Sequence, residues 1–297
     1  MQSIPVFYDG RMVADSRGYS PSAAKPKQVV EDWQAHSLPI EIRQFEPATG
    51  SNLSRVHSKR FVTNVLRGIE RNGHGNKIVE IAESCRYTCG SLLAAAQHAV
   101  EFGSVACSPS SGFHHAGYDS AAGFCTFNGI ALAASLILQS DRLPCETVLL
   151  LDGDAHDPDG VREIRDRFEV LRSGLQIIAM SDYNDEPNGQ GFRQFVSDSI
   201  AAIELFPANS LVIYQAGADA HIDDPLHAGS MTTEELRERD MWIFTAAQCS
   251  KIPLVWNLAG GYQRDHDGSI PRVLEIHRNT MSACCEVYCP QHAEKGV

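Results

Sequence analysis

The sequence predicts an α/β fold, an open and mostly parallel sheet with helices on both faces. Three observations carry that expectation. In the second half of the chain, short apolar runs at 147–151, 175–180, 211–214 and 253–258 alternate with helical patterns at 161–172, 192–206, 232–249 and 269–280. Such alternation builds parallel sheets covered by helices. The run 147–151 is β-branched and leucine-rich with no polar alternation, the pattern of a strand buried on both faces. Polar residues collect just past each of these runs, at the edge where open α/β sheets place their chemistry.

The first half reads less regularly. Residues 4–8 form a first short strand, 17–27 an irregular loop containing Pro21 and Pro26, and 29–36 a short helix. Apolar alternation over 38–46 gives a second strand, stopped by Pro47-Ala48-Thr49-Gly50. Helical spacing resumes near Ser54, where Val56, Phe61, Val62, Val65 and Leu66 share a face, and Asn72-Gly73-His74-Gly75-Asn76 marks a turn. Residues 89–102 are strong helix formers throughout and should make a well-buried helix. Residues 105–123 break every period and read as a loop of small residues around His114-His115, with Pro109, Gly112, Gly117 and Gly123. An apolar helix follows over 125–138, with Asn128 near its start.

Composition narrows the function classes. A length of 297 residues, 43% of them hydrophobic and 21% charged, excludes disorder and can bury a substantial core. With no internal repeat or low-complexity linker, residues 1–297 are expected to form a single domain. The 25 basic and 37 acidic residues leave a formal charge of −12, which argues against a nucleic-acid partner and suits a cationic substrate. No apolar run approaches the roughly 18 residues that suggest a membrane span. Nine scattered cysteines and the lack of a basic, apolar leader predict reduced thiols in a cytoplasmic protein. Self-association is left open.

Chemistry concentrates at the predicted strand ends: Asp152-Gly153-Asp154-Ala155-His156, Ser181-Asp182-Tyr183-Asn184-Asp185, Gly217-Ala218-Asp219-Ala220-His221 and Gly260-Gly261-Tyr262. Asp154 and His156 lie two apart on a chain still extended, so they point the same way. With Asp219 they make a three-ligand set for a catalytic zinc that keeps a fourth position for water. Such an ion lowers the pKa of that water to about 7 and polarises a carbonyl. His114 and His115 suit acid and base work near neutrality. Asp152 and Asp159 remain to orient them, and Tyr262 is a neutral donor for a developing oxyanion. Any one of these stretches alone would more simply cap a helix or fill a turn. Four in succession point to a site.

These residues carry a resemblance to the zinc-dependent histone deacetylase family, which includes acetylpolyamine amidohydrolases and acetoin-utilisation proteins. The chain resembles its bacterial-type members. The matching stretches are 87–96, Gly112-Phe113-His114-His115-Ala116, 123–128, 152–156, 216–226 and Ala259-Gly260-Gly261-Tyr262, in the family's order. The resemblance implies the three-layer arginase-like and deacetylase-like fold, and Zn2+ held by Asp154, His156 and Asp219. It implies removal of acetyl or another short acyl group from an amine such as acetyl-lysine or an acetylated polyamine. His115 would then be the general base and later acid, paired with Asp159. His114 would act chiefly electrostatically, paired with Asp152, and Tyr262 would donate to the acetyl carbonyl. Gly123 and Phe124 would wall a substrate tunnel, and a structural K+ would sit near Asp152, Asp154, His156 and Ser181. Iron could replace zinc.

The chain departs from the family at Asp157-Pro158, where many members have histidine and glycine. Pro158 fixes φ and removes a donor, so the turn that carries Asp159 is expected to differ. The aromatic and glycine loop that usually forms the other tunnel wall is not recognisable over 183–191. His221, Asp223 and Asp224 read as a solvated turn before Pro225, His98 as a packed helix residue, and Cys107, Cys125 and Cys145 as small core residues. Cys284, Cys285, Cys289 and His292 hint at a second metal site but lack a second pair of ligands at zinc-finger distance. Two rival functions stay open: a non-catalytic metal-containing ligand-binding protein, and a two-manganese ureohydrolase of arginase type, which wants more bridging aspartates than these strand ends provide.

Overall fold

A computed structural model describes residues 2–183, 190–226 and 229–290. Its elements in chain order are β1 (Ile4–Phe7), α1 (Lys25–Ala35), β2 (Ile40–Arg43), α2 (Gly50–Leu53), α3 (Lys59–Leu66), α4 (Val79–Phe102), β3 (Val105–Ser108), α5 (Gly129–Leu138) and β4 (Thr147–Asp152). There follow α6 (Asp159–Arg167), α7 (Glu169–Gly174), β5 (Leu175–Ala179), α8 (Gln190–Leu205), β6 (Ser210–Gly217), α9 (Thr233–Ser250), β7 (Leu254–Ala259) and α10 (Pro271–Tyr288). The strands form one seven-stranded sheet in the order β2-β1-β3-β7-β6-β4-β5, with every pair parallel. The α/β class read from the sequence is the class observed.

The apolar runs at the centre explain the layering. In β4 and β6, Leu149, Leu151, Val212 and Tyr214 pack on one face with Trp33 of α1, Phe195 of α8, Phe244 of α9 and Ile276 of α10. Their alternate neighbours Val148, Leu150, Leu211 and Ile213 pack on the other face with Phe61 of α3, Leu92 of α4, Ile130 of α5 and Val161 of α6. A strand with period-two side chains and two apolar faces needs this two-sided cover.

Several boundaries differ from the sequence expectation. Helix α1 starts at Lys25, inside the stretch read as loop, with Pro26 in its first turn, where proline costs no hydrogen bond. Helix α4 starts at Val79 rather than near residue 89, and ends on Gly103 in the left-handed region at φ 58°. The helix expected over 161–172 is two helices, broken at Phe168 in extended backbone (φ −110°, ψ 122°). The short buried strand β3 lies within the stretch read as an unbroken loop, and α10 continues past residue 280 to Tyr288.

Candidate active site

Four neighbouring strands, β3, β7, β6 and β4, end on the same edge of the sheet. In register, Ser108 faces Asn257, Asn257 faces Gln215, and Gln215 faces Asp152. The loops that follow them carry the tandem histidines, Tyr262, Asp219 and the Asp154–Asp159 segment. Residues far apart in sequence therefore meet because their strands are adjacent.

Asp154, His156 and Asp219 come together, their ligand atoms all within 4.8 Å of one another. His156 Nδ1 lies 2.8 Å from Asp219 Oδ2 and 3.0 Å from Asp154 Oδ1. Both carboxylates are buried. Hydrogen bonding to Asp154 and Asp219 raises His156 to about 10. Burial and repulsion from Asp154 push Asp219 up to about 7. Asp154 goes the other way: against the cost of burial, His114 and His156 hold it below the usual carboxylate range. Two buried carboxylates turned on one imidazole nitrogen form a donor set that a divalent cation neutralises, and two hard oxygens with one nitrogen suit zinc. By this measure the residues fit the metal.

The loop after β3 lays the two imidazoles side by side, ring centroids 4.1 Å apart. His114 is buried, with Nδ1 3.0 Å from Asp152 Oδ2 and Nε2 3.8 Å from Asp154 Oδ1. Burial opposes its charge, but Asp154 and Asp152 outweigh burial and hold His114 up at about 9. Asp152 is itself fixed, because Gln215 Nε2 donates to both its oxygens at 3.0 Å and the Asp154 amide donates to Oδ1 at 3.0 Å. His115 differs. Its Nδ1 lies 2.6 Å from Asp159 Oδ1, and burial together with the His114 charge lowers its pKa, against the pull of Asp159. The environment splits the pair into a charged imidazole and a neutral one.

The departure at Asp157-Pro158 resolves locally. Asp157 accepts from Arg162 Nε at 2.8 Å, and Arg162 also reaches Asp182 at 2.7 Å. Pro158 occupies the N-cap of α6 (φ −75°, ψ 53°), so Asp159 becomes the first helical residue, where the helix dipole favours a carboxylate.

Tyr262 is buried and packs its ring 5.5 Å from Phe124. Burial first, then the charges of Asp154 and Asp219, raise its phenol pKa well above the ordinary value, so the phenol stays protonated beside the donor set. Gly123 and Phe124 both adopt positive φ, 52° and 64°. A methyl group built on Gly123 would come 2.3 Å from His115 Cδ2, so only glycine lets this loop touch the His115 ring. His74 extends the wall, with its ring 5.6 Å from Phe124.

Other residues stand where the sequence reading did not put them. The turn before Pro225 is solvated only in part: Asp223 is exposed, whereas His221 and Asp224 are buried, and Asp224 Oδ2 accepts the Tyr262 amide at 2.8 Å. The tertiary fold folds that turn under the Tyr262 loop. Lys25, which no sequence pattern marks, is fully buried, donates to the Gly260 carbonyl, and lies 3.3 Å from Ser111 Oγ. His57 is pinned at both nitrogens, facing the Gly117 carbonyl at 2.8 Å and accepting the Asn128 amide at 2.8 Å, which fixes the loop of the tandem histidines. His98 stacks on Phe102 at 4.5 Å. Cys107, Cys125 and Cys145 are buried free thiols whose pKa values burial raises. Cys284, Cys285 and Cys289 are buried in the core, while His292 and residues 184–189 of the expected tunnel-wall segment lie outside the described residues. Among the described residues no helix is long and apolar enough to cross a membrane.

Comparison with known proteins agrees with this geometry. Over 263 residues the chain is 26% identical to an uncharacterised protein of Picosynechococcus sp., covering 81% of this chain and 85% of that one. It is 28% identical to histone deacetylase 2 of Arabidopsis thaliana over 60% of this chain and 49% of the relative. It is 30% identical to an acetylpolyamine amidohydrolase of Burkholderia pseudomallei over 41% of each. Residues 21–192 and 172–275 match the family model of the histone deacetylase domain. The chain belongs to the histone deacetylase domain family.

Proposed function

We propose that the chain is a zinc-dependent amidohydrolase that removes acetyl or another short acyl group from an amine such as acetyl-lysine or an acetylated polyamine. One observation carries the reading: two stacked imidazoles, each with Nδ1 on a carboxylate, lie beside a buried Asp-His-Asp donor set. Asp154, His156 and Asp219 would hold the divalent ion, which when bound polarises a carbonyl and lowers the pKa of a water to about 7.

The chain's own groups do the rest. His115, neutral at Nε2 with Nδ1 engaged by Asp159, takes a proton from the attacking water and later delivers it to the leaving amine. Tyr262 donates to the carbonyl oxygen as negative charge builds there. His114, fixed through Nδ1 on Asp152, would act electrostatically on the same charge from the side. The products are a carboxylate and a free amine. The net charge of −12 supports a cationic leaving amine, as does the similarity to a protein named acetylpolyamine amidohydrolase. A structural K+ near Asp152, Asp154, His156 and Ser181 belongs to the same proposal.

Purified protein loaded with zinc is assayed on acetyl-lysine peptides and on acetylputrescine. Turnover of at least one, lost in His115→Ala, supports the reading. Tight binding without hydrolysis would favour a ligand-binding protein, and two manganese ions per chain would favour a ureohydrolase.

A further inference from the structure

Arg239 of α9 is a fully buried guanidinium that no step above uses. A buried charge is costly unless it is paired and hydrogen-bonded. Its neighbour Asp240 supplies the counter-charge, accepting from Arg239 Nε at 3.0 Å. Asp240 is held in turn by the Tyr214 hydroxyl and by Thr280 Oγ1 at 2.5 Å. That pairing does not explain the other end of the fork. Arg239 Nη1 donates to the Gly153 carbonyl and to the Gly217 carbonyl, each at 2.9 Å.

These two carbonyls sit where β4 and β6 give way to the site. The Gly153 amide still bonds Gln215 O at 2.9 Å, and the next residue is Asp154. Gly217 is two residues before Asp219 and lies against the same turn, since a methyl group built on it would come 2.4 Å from Asp154 Cα. Two strand ends are thus pressed together with both carbonyls aimed into one buried spot. Side by side, their dipoles repel. A single nitrogen carrying two hydrogens satisfies both, and a guanidinium with its other edge fixed on Asp240 offers that nitrogen in one place only.

We infer that Arg239 is the positioning residue of the metal centre: by tying Gly153 to Gly217 it sets the separation of the donor atoms of Asp154 and Asp219. The inference rests on the reading that these residues hold a divalent ion, but not on the reaction that ion serves. Partners that orient metal ligands typically change metal affinity by about 10–100-fold when removed.

The test uses full-length protein stripped of metal, with Zn2+ affinity read by competition against a chelating dye and donor geometry by the d–d absorption of the Co2+ form. Arg239→Met combined with Asp240→Asn removes both buried charges together. It should keep its far-ultraviolet circular dichroism, lose about 10–100-fold in Zn2+ affinity, and shift the Co2+ bands. Arg239→Lys keeps a donor and a charge and should recover part of the affinity. A folded double variant with Zn2+ affinity within about threefold of the parent and unchanged Co2+ bands overturns the inference. If the double variant does not fold, the same two readouts on Arg239→Lys decide, with parental values counting against it. A parent that binds zinc but hydrolyses no acylated amine overturns the deacetylase reading alone. Unaltered metal binding in the variants of an active parent overturns this inference alone.

Discussion

Removing the Tyr262 hydroxyl is the sharpest perturbation available, because the structure shows what stays behind. In Tyr262→Phe the ring still packs 5.5 Å from Phe124, the backbone amide still donates to Asp224 at 2.8 Å, and the backbone carbonyl still accepts from the Tyr19 hydroxyl at 3.3 Å. No side-chain hydrogen bond of the phenol to another described residue is broken, so the fold should be untouched. Only the donor proposed for the developing oxyanion is lost. Deleting one such donor costs about 10²–10³ in kcat, or about 2.7–4 kcal/mol of transition-state stabilisation. The assay is steady-state kinetics on whichever acylated amine the parent turns over, with zinc content measured on the same sample. The expected result is a fall of that size in kcat, a KM changed far less, and unchanged metal content. A kcat within about threefold of the parent would refute the role given to Tyr262, whatever the rest of the site does.

Other outcomes follow from the same geometry. His115→Ala should lower kcat by about 10²–10⁴, whereas Asp159→Asn should cost far less, because the Asp159 side chain is 63% exposed and its charge is screened. Since burial and His114 hold His115 below the ordinary imidazole value of about 6.5, kcat/KM should persist on the acid side of neutrality and fall only as pH drops through that lowered value. An acid limb centred above about 6.5 would contradict this assignment. In metal-free protein, His114 is raised to about 9. Its contribution to stability is therefore complete below the unfolded value of about 6.5 and lost as pH rises through about 9, so thermal melts across that window should show a falling midpoint. Gly123→Ala drives a methyl group into His115 and strains a residue at φ 52°. It should abolish most activity while unfolding measurements register a loss of about 1 kcal/mol or more.

The second half of the fold was legible because its strands are short runs apolar on both faces, and each is followed by a helical period long enough to recognise. The first half was harder for identifiable reasons. Strand β3 is four residues long and sits between the end of α4 and a loop of glycines and prolines, so no period marks it. The start of α4 is hard to see because its early turns carry the charged residues Glu80, Glu83 and Arg86 among its apolar ones, and Gly90 interrupts the helix formers. Gly90 is there for tertiary contact: a methyl group on it would come 2.4 Å from the Glu46 carbonyl, so the helix needs a gap for the passing chain.

The site divides along a similar line. Asp154, His156, Asp219, the tandem histidines and Tyr262 were readable because strand ends announce them and their side chains are chemically conspicuous. Lys25, Gln215, Asp224 and Arg239 were not, because each looks like an ordinary helix, strand or turn residue until its partner is brought from far along the chain: Gly260 for Lys25, Gly153 for Arg239. The Asp157-Pro158 turn shows the converse. A sequence departure next to a proposed metal ligand predicts disruption, yet the proline falls at the N-cap of α6, ahead of the first helical residue, and Arg162 draws Asp157 toward itself. What the turn must preserve is the 2.6 Å contact between Asp159 and His115, and a helix that begins at residue 159 preserves it. Pro158→Gly should therefore loosen the start of α6 and lower stability by about 0.4–1 kcal/mol, with little change in kcat. A kcat loss as large as that of Asp159→Asn would mean that the proline itself, and not the helix start it permits, holds Asp159 on His115.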